Sequence, residues 1–202
     1  MDKMIIYIHG QGGSAAEAEH YQQLFPGCRV LGFDYRSQTP WDAKDEFTTF
    51  FRQLSREHGA VILIANSLGA FLAMSADIEA FIQRAFFISP VVDMEKLIGK
   101  MLIWADVSEG ELKEKGVVPT DFGEDLSWEY LTYVREHPLK WDVPTAIICG
   151  SGDSLTDYET IADFAQKHGA RLTVMEGGEH WFHTEEQMAF LDAWFGKQLQ
   201  SE

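Results

Sequence analysis

A serine hydroxyl becomes a nucleophile only where its backbone lifts it into reach of a substrate and a base stands ready to take its proton. Ser67 lies in VILIANSLGAFLAM, where a continuous apolar run passes through Asn66-Ser67-Leu68-Gly69 into a helical pattern. Such a strand–turn–helix junction raises the hydroxyl above the edge of a sheet, and the start of the helix points backbone N–H groups at whatever the serine attacks. Strand and helix pass close together there, so the neighbours must be small; Ala65, Gly69 and Ala70 supply them. The spacing is that of G-x-S-x-G, with Ala65 in place of the first glycine. The same letters also fit an ordinary tight turn.

Three other loops follow apolar runs and carry reactive side chains. They are HGQGGS after residues 4–9, CGSGDSLT with Asp153 and Asp157, and EGGEHWFHT with His180 and His183. HGQGGS as a phosphate cradle lacks both the P-loop lysine and the GxGxxG spacing. His180 and His183 are three apart, as two metal ligands can be, but no third ligand lies nearby, so no metal is expected. Cys28 and Cys149 lack CxxC spacing, which removes the sequence support for zinc or redox chemistry.

The elements that must position these loops alternate along the chain. Apolar runs at 4–9, 29–35, 61–66, 85–89, 145–150 and 171–176 have the unbroken character of strands buried on both faces. Helical signals lie between them. Ser14 with Glu17, Thr156 with Glu159 and Thr184 with Gln187 have capping-box spacing, with stops near Pro26-Gly27 and at Gly169 for the first two. Phe47, Phe50, Phe51 and Leu54 share one helical face that Gly59 ends, and Met188, Leu191 and Phe195 stripe the last helix. Alternation of this kind predicts an α/β fold, a doubly wound, mostly parallel sheet of about six strands. Residues 1–202 read as one domain. Residues 91–142 show no clear strand but hold Trp104, Phe122, Trp128, Tyr130, Tyr133 and Trp141 amid many charges, the mark of a lid or cap insertion.

Composition narrows the partners. Apolar residues at 46% and aromatics at 13% indicate a globular chain. A net charge of -16 argues against nucleic acid and against anionic membrane surfaces, and favours neutral or cationic substrates. No run approaches the roughly 18 apolar residues of a membrane span, and the short apolar start is no secretory signal, so a cytoplasmic protein is expected. Oligomeric state leaves no signature.

The succession YIHGQGGS, then the serine turn, resembles the α/β-hydrolase superfamily over nearly the whole chain. That resemblance implies an oxyanion hole from the backbone N–H groups of Gln11 and Leu68. It places a catalytic acid at Asp153, with Asp157 as competitor in a helix's first turn. It places the catalytic histidine at His180 in a Gly-x-x-His loop, with His183 as rival. The order Ser67, Asp153, His180 is the order of that superfamily. His9 is expected to brace its loop, and Asp34 and Arg36 in DYRSQTPW to brace one another. Trp41, Trp104 and Trp128 are candidate substrate contacts. The implied chemistry is acyl transfer from small, neutral carboxylic esters through an acyl-enzyme on Ser67, without metal or organic cofactor. A thioesterase, a small-peptide aminopeptidase, a hydroxynitrile lyase and a non-catalytic binding module share the fold and remain as alternatives.

Overall fold

The structure, a computed structural model, describes residues 3–200. The first part of the chain runs β1 (Lys3–Ile8), α1 (Ala18–Leu24), β2 (Cys28–Gly32), α2 (Pro40–His58), β3 (Val61–Asn66), α3 (Leu68–Ser75) and β4 (Ile82–Ile88). A middle stretch holds α4 (Met94–Trp104), α5 (Glu109–Lys115), β5 (Val117–Val118), β6 (Leu126–Ser127) and α6 (Trp128–Glu136). The chain then closes with β7 (Thr145–Gly150), α7 (Tyr158–His168), β8 (Arg171–Met175) and α8 (Glu185–Gln200). It divides into two compact units, one built from residues up to Val92 and from Trp141 onward, the other from Asp93–Lys140.

The larger unit is organised by a six-stranded sheet in the order β2-β1-β3-β4-β7-β8, every pair parallel. From β1 the chain goes to one side for β2 and returns to the other side for β3. In such sheets the crevice beyond the carboxyl ends of the two strands at the reversal is where ligands bind. Here those strands are β1 and β3, and they lead into HGQGGS and the Ser67 turn.

Both faces of the sheet are covered because side chains alternate along each strand. One face contributes Ile5, Tyr7, Ile62, Ile64, Phe86, Ile88, Ala146 and Ile148 to a core completed by Tyr21 and Phe25 near α1 and by Leu191, Trp194 and Phe195 of α8. On the other face α3 lies so close that a methyl group on Gly69 would stand 2.8 Å from Ile8 Cγ2. The expected face of α2 packs as Phe47, Phe51 and Leu54, with Gly59 at φ 73 ending the helix. Phe50 stacks on Phe33 at 4.0 Å. Trp141 is fully buried, donating from Nε1 to Thr145 Oγ1 at 2.8 Å.

The ends differ from sequence expectation in informative ways. The 29–35 strand stops at Gly32, although Phe33 N–H still donates to Tyr7 O at 2.9 Å. The strand expected at 85–89 starts earlier, at Ile82. Ser14 opens a 3-10 turn (Ala15–Glu17) before α1. The N-cap position of α7 falls on Asp157, not Thr156, and the Thr156 hydroxyl donates to Asp153.

The Asp93–Lys140 unit is three short helices and a two-stranded antiparallel pair, β5 with β6, too short to show periodicity in the sequence. Asp93, Ser108 and Ser127 cap α4, α5 and α6. Arg135 of α6 ties the helices together, donating to Glu95 at 2.7 Å and to both oxygens of Glu109 at 2.7 and 2.9 Å. Among the described residues no helix is long and apolar enough to cross a membrane.

Gly150 ends β7 against the next loop: a Cβ there would lie 2.1 Å from Gly178 O, a backbone atom with no room to retreat. Gly150→Ala is expected to cost about 1–3 kcal/mol in urea unfolding, the range of an overpacked core. Gly99, in the middle of α4 with nothing within 4 Å of its would-be Cβ, is the matched control. Gly99→Ala should stabilise by up to about 1 kcal/mol, since alanine is the better helix former.

Candidate active site

Ser67 sits between β3 and α3 with φ 48 and ψ −118, a conformation that a residue with a Cβ rarely adopts. Three backbone hydrogen bonds hold it there. Its N–H donates to Ile88 O at 3.0 Å, and its carbonyl accepts from Ala70 N at 3.1 Å and from Val91 N at 3.2 Å. Gly69 is required by the approach of α3 to β1, where a Cβ would come 2.2 Å from His9 O. Ala65, buried and paired with Ile8 and Phe87, is accommodated within β3.

The loops after β7 and β8 are fastened to each other. Ser151 N–H donates to Met175 O at 2.9 Å, Gly152 N–H to Gly178 O at 2.8 Å, and Gly177 N–H to Ser151 Oγ at 2.8 Å. This pairing carries Asp153 to His180. His180 Nδ1 lies 2.7 Å from Asp153 Oδ2, and His180 Nε2 lies 2.8 Å from Ser67 Oγ. Asp153 is spent as an acceptor on every side. Oδ1 takes the N–H groups of Leu155 and Thr156 at 2.8 and 2.9 Å, and Oδ2 takes the Thr156 hydroxyl at 2.8 Å. An ionised carboxylate only accepts, so the shared proton belongs on His180 Nδ1 and Nε2 is left to accept from Ser67. The Asp153 side chain is 1% exposed and that of His180 15%. Burial pushes the Asp153 carboxyl up, but the hydrogen bond and charge of His180, with the bonds from Thr156, outweigh it and hold the carboxyl below its ordinary value.

The other expected residues fall as follows. Gln11 lies in the turn after β1, and Leu68 is the first residue of α3, whose N–H has no acceptor within its own helix. His9 stacks on Tyr35 at 4.4 Å and donates from Nδ1 to Gly10 O at 2.8 Å, while the Tyr35 hydroxyl donates to His9 O at 2.9 Å. Asp157 caps α7. His183 turns away from His180: its ring stacks on Trp181 at 4.6 Å, and its N–H donates to Gln187 Oε1 at 3.1 Å. Trp41 is in the first turn of α2, half-buried. Trp104 and Trp128 belong to the Asp93–Lys140 unit, Trp104 edge-on to Phe122 and Trp128 beneath Lys113 Nζ at 5.5 Å. Among the described residues no group of three or more His, Cys, Asp or Glu is arranged to hold a metal ion.

One expectation is corrected. Asp34 and Arg36 do not brace one another; Glu46 of α2 instead takes the backbone N–H groups of Arg36 and Ser37 at 3.0 and 2.9 Å, and the Ser37 hydroxyl. A carboxylate on a helix, ten residues beyond Arg36, is invisible to a search for short-range pairs. Thr156 was hidden for a similar reason: its spacing to Glu159 has a helix-cap reading, and only the fold turns it onto Asp153.

No curated protein matches the chain significantly. Among solved structures, Est1E from Butyrivibrio proteoclasticus superposes with a TM-score of 0.78 at 15% identity, covering 100% of this chain and 89% of that one. The same Est1E with ferulic acid bound gives a TM-score of 0.73 at 15% identity, over 98% and 88%. The mouse alpha/beta hydrolase domain-containing protein 10 gives 0.73 at 17% identity, over 98% and 90%. These likenesses speak for the fold. The model of the alpha/beta hydrolase family matches residues 5–193, almost the full span of the sheet and its loops, and the chain belongs to that family.

Proposed function

We propose that this protein is a serine hydrolase that cleaves small, neutral carboxylic esters through an acyl-enzyme on Ser67. The observation that carries the reading is the continuous row from Ser67 Oγ through His180 to the buried carboxylate of Asp153, at 2.8 and 2.7 Å. A binding module would have no cause to keep a serine in a strained backbone conformation and aim its hydroxyl at an imidazole nitrogen.

In the proposed cycle Ser67 Oγ attacks the ester carbonyl while its proton passes to His180 Nε2. Asp153 keeps the proton on Nδ1 and stabilises the imidazolium that forms. The N–H groups of Gln11 and Leu68 receive the oxyanion; a single donor of this kind is worth about 3–4 kcal/mol in the transition state. His180 returns the proton to the departing alcohol. Water, deprotonated by the same nitrogen, then releases the acid and restores Ser67. The net charge of -16 supports neutral over anionic substrates. Est1E with ferulic acid bound is a protein of this fold holding a small carboxylic acid, the kind of product that ester cleavage would release here. A cytoplasmic setting belongs to the same proposal, supported by two cysteines that form no disulfide.

A fluorophosphonate probe should label the wild type and not Ser67→Ala. A folded wild type that stays unlabelled removes the hydrolase reading, and equal labelling of Ser67→Ala assigns the nucleophile wrongly. On p-nitrophenyl esters of rising chain length, thioesters and aminoacyl anilides, short esters are expected to turn over fastest; a clear preference for either other class would replace ester by that class.

Asp153→Asn should lower kcat by about 10³- to 10⁴-fold, because an amide can present N–H where His180 needs an acceptor. It should also reveal the charge's part in stability. The Asp153 carboxyl is held below its ordinary value, so its ionised form stabilises the fold above about pH 4 and that contribution fades as pH falls through the lowered value. The stability gap between wild type and Asp153→Asn, followed by urea unfolding, should be widest near neutrality and close in acid. A gap that widens on acidification contradicts the assignment.

A further inference from the structure

The two proposed oxyanion donors sit on separate strand ends, Gln11 after β1 and Leu68 after β3, and their spacing must be fixed to a fraction of an ångström for both to reach one oxygen. A buried phenol ties the loop after β1 to the sheet in which both ends lie. Tyr7, on β1 and fully buried, donates its hydroxyl to Glu17 Oε2 at 2.5 Å. The other oxygen of Glu17 accepts the Ser14 N–H at 2.9 Å, closing the Gly-rich loop at its far end. That carboxylate lies so near the loop that a Cβ on Gly13 would stand 2.7 Å from Glu17 Oε1. The backbone of Tyr7 is paired with Ile64 of β3, three residues before Ser67. Tyr21 packs its ring on Tyr7 at 4.9 Å and shuts the group in.

We propose that Tyr7 and Glu17 are positioning residues that index the Gly-rich loop against the nucleophile turn, so that the Gln11 and Leu68 N–H groups converge on one oxyanion. This rests on the serine-hydrolase reading above. The near end of the loop is already held by Tyr35, which stacks on His9 and donates to its carbonyl. Glu17 holds the far end, and Tyr7 ties that end to β1, which is paired with the Ser67 strand β3. Burial is the first of several causes that push the Tyr7 phenol far above its ordinary value, with Tyr21 and Glu17 adding to it. The phenol therefore stays protonated and always has a hydrogen to give to Glu17.

Tyr7→Phe removes one oxygen and keeps the ring in the core. Glu17→Ala cuts the same link from the exposed side of the loop. Each is expected to lower kcat on a p-nitrophenyl ester by about 10- to 100-fold with KM within about twofold, the scale of a small misplacement of catalytic groups. Fluorophosphonate labelling should slow by the same factor, because phosphonylation of Ser67 uses the same hole. The double variant should be no slower than the slower single, since both cut one link. If both single variants label and turn over like the wild type, whatever their melting temperatures, the inference is overturned while the hydrolase reading stands. If the losses multiply in the double variant, the two residues act separately and the link is overturned. A wild type that does not label overturns the hydrolase reading and this inference with it.

Discussion

Ser67 holds a backbone conformation that costs about 1–3 kcal/mol for a residue with a side chain, and much of the larger unit serves to keep it there. The strain is met by bonds that belong to the sheet. Its N–H is tied to Ile88 at the carboxyl end of β4 and its carbonyl to Val91, three residues beyond that end, and the helix that follows Ser67 begins one residue later. Parallel pairing of β1, β3, β4 and β7 fixes where those ends lie, so the turn cannot relax unless strand pairing is lost with it. In the proposed mechanism, a serine held this way does not have to be organised at the moment of reaction, which is where preorganised sites gain their rate.

The same logic of close backbone approach builds the second half of the site. Gly150 lets the β7 loop lie against Gly178, and three hydrogen bonds zip the two loops together. Asp153 and His180 are thus brought within bonding distance by the main chain, not by their own attraction. A carboxylate with 1% exposure would be costly unless satisfied. Leu155, Thr156 and His180 satisfy it, and in doing so they leave it no freedom to turn away from the imidazole.

Much of this is legible in the residues alone. Continuous apolar runs such as VILIA and TAII have the character of strands buried on both faces, and their alternation with helical patterns gives a doubly wound α/β fold. Parallel sheets put reactive groups at strand carboxyl ends, so Ser67, Asp153 and His180 could be picked out by the strands they follow. Short elements were less visible. Two-residue strands such as β5 and β6 carry no period, and the 3-10 turn at Ala15–Glu17 shares its cap signal with an α-helix.

The sequence by itself determined the layer order of the fold, the order of the reactive residues and the small side chains that their turns require, because these depend on local pattern and on strand ends. Tertiary structure decided which polar groups serve one another. Thr156 has the spacing of a helix cap and instead secures Asp153. Glu46, not Asp34, holds the Arg36 turn. Tyr7 looks like one more apolar strand residue and proves to donate its hydroxyl to Glu17. Each of these choices joins residues from different elements, and such distances are set only when helices and strands have packed. For Ser67 itself, the sequence supplied the turn; the bonds from Ile88 and Val91 that keep it strained exist only in the assembled sheet.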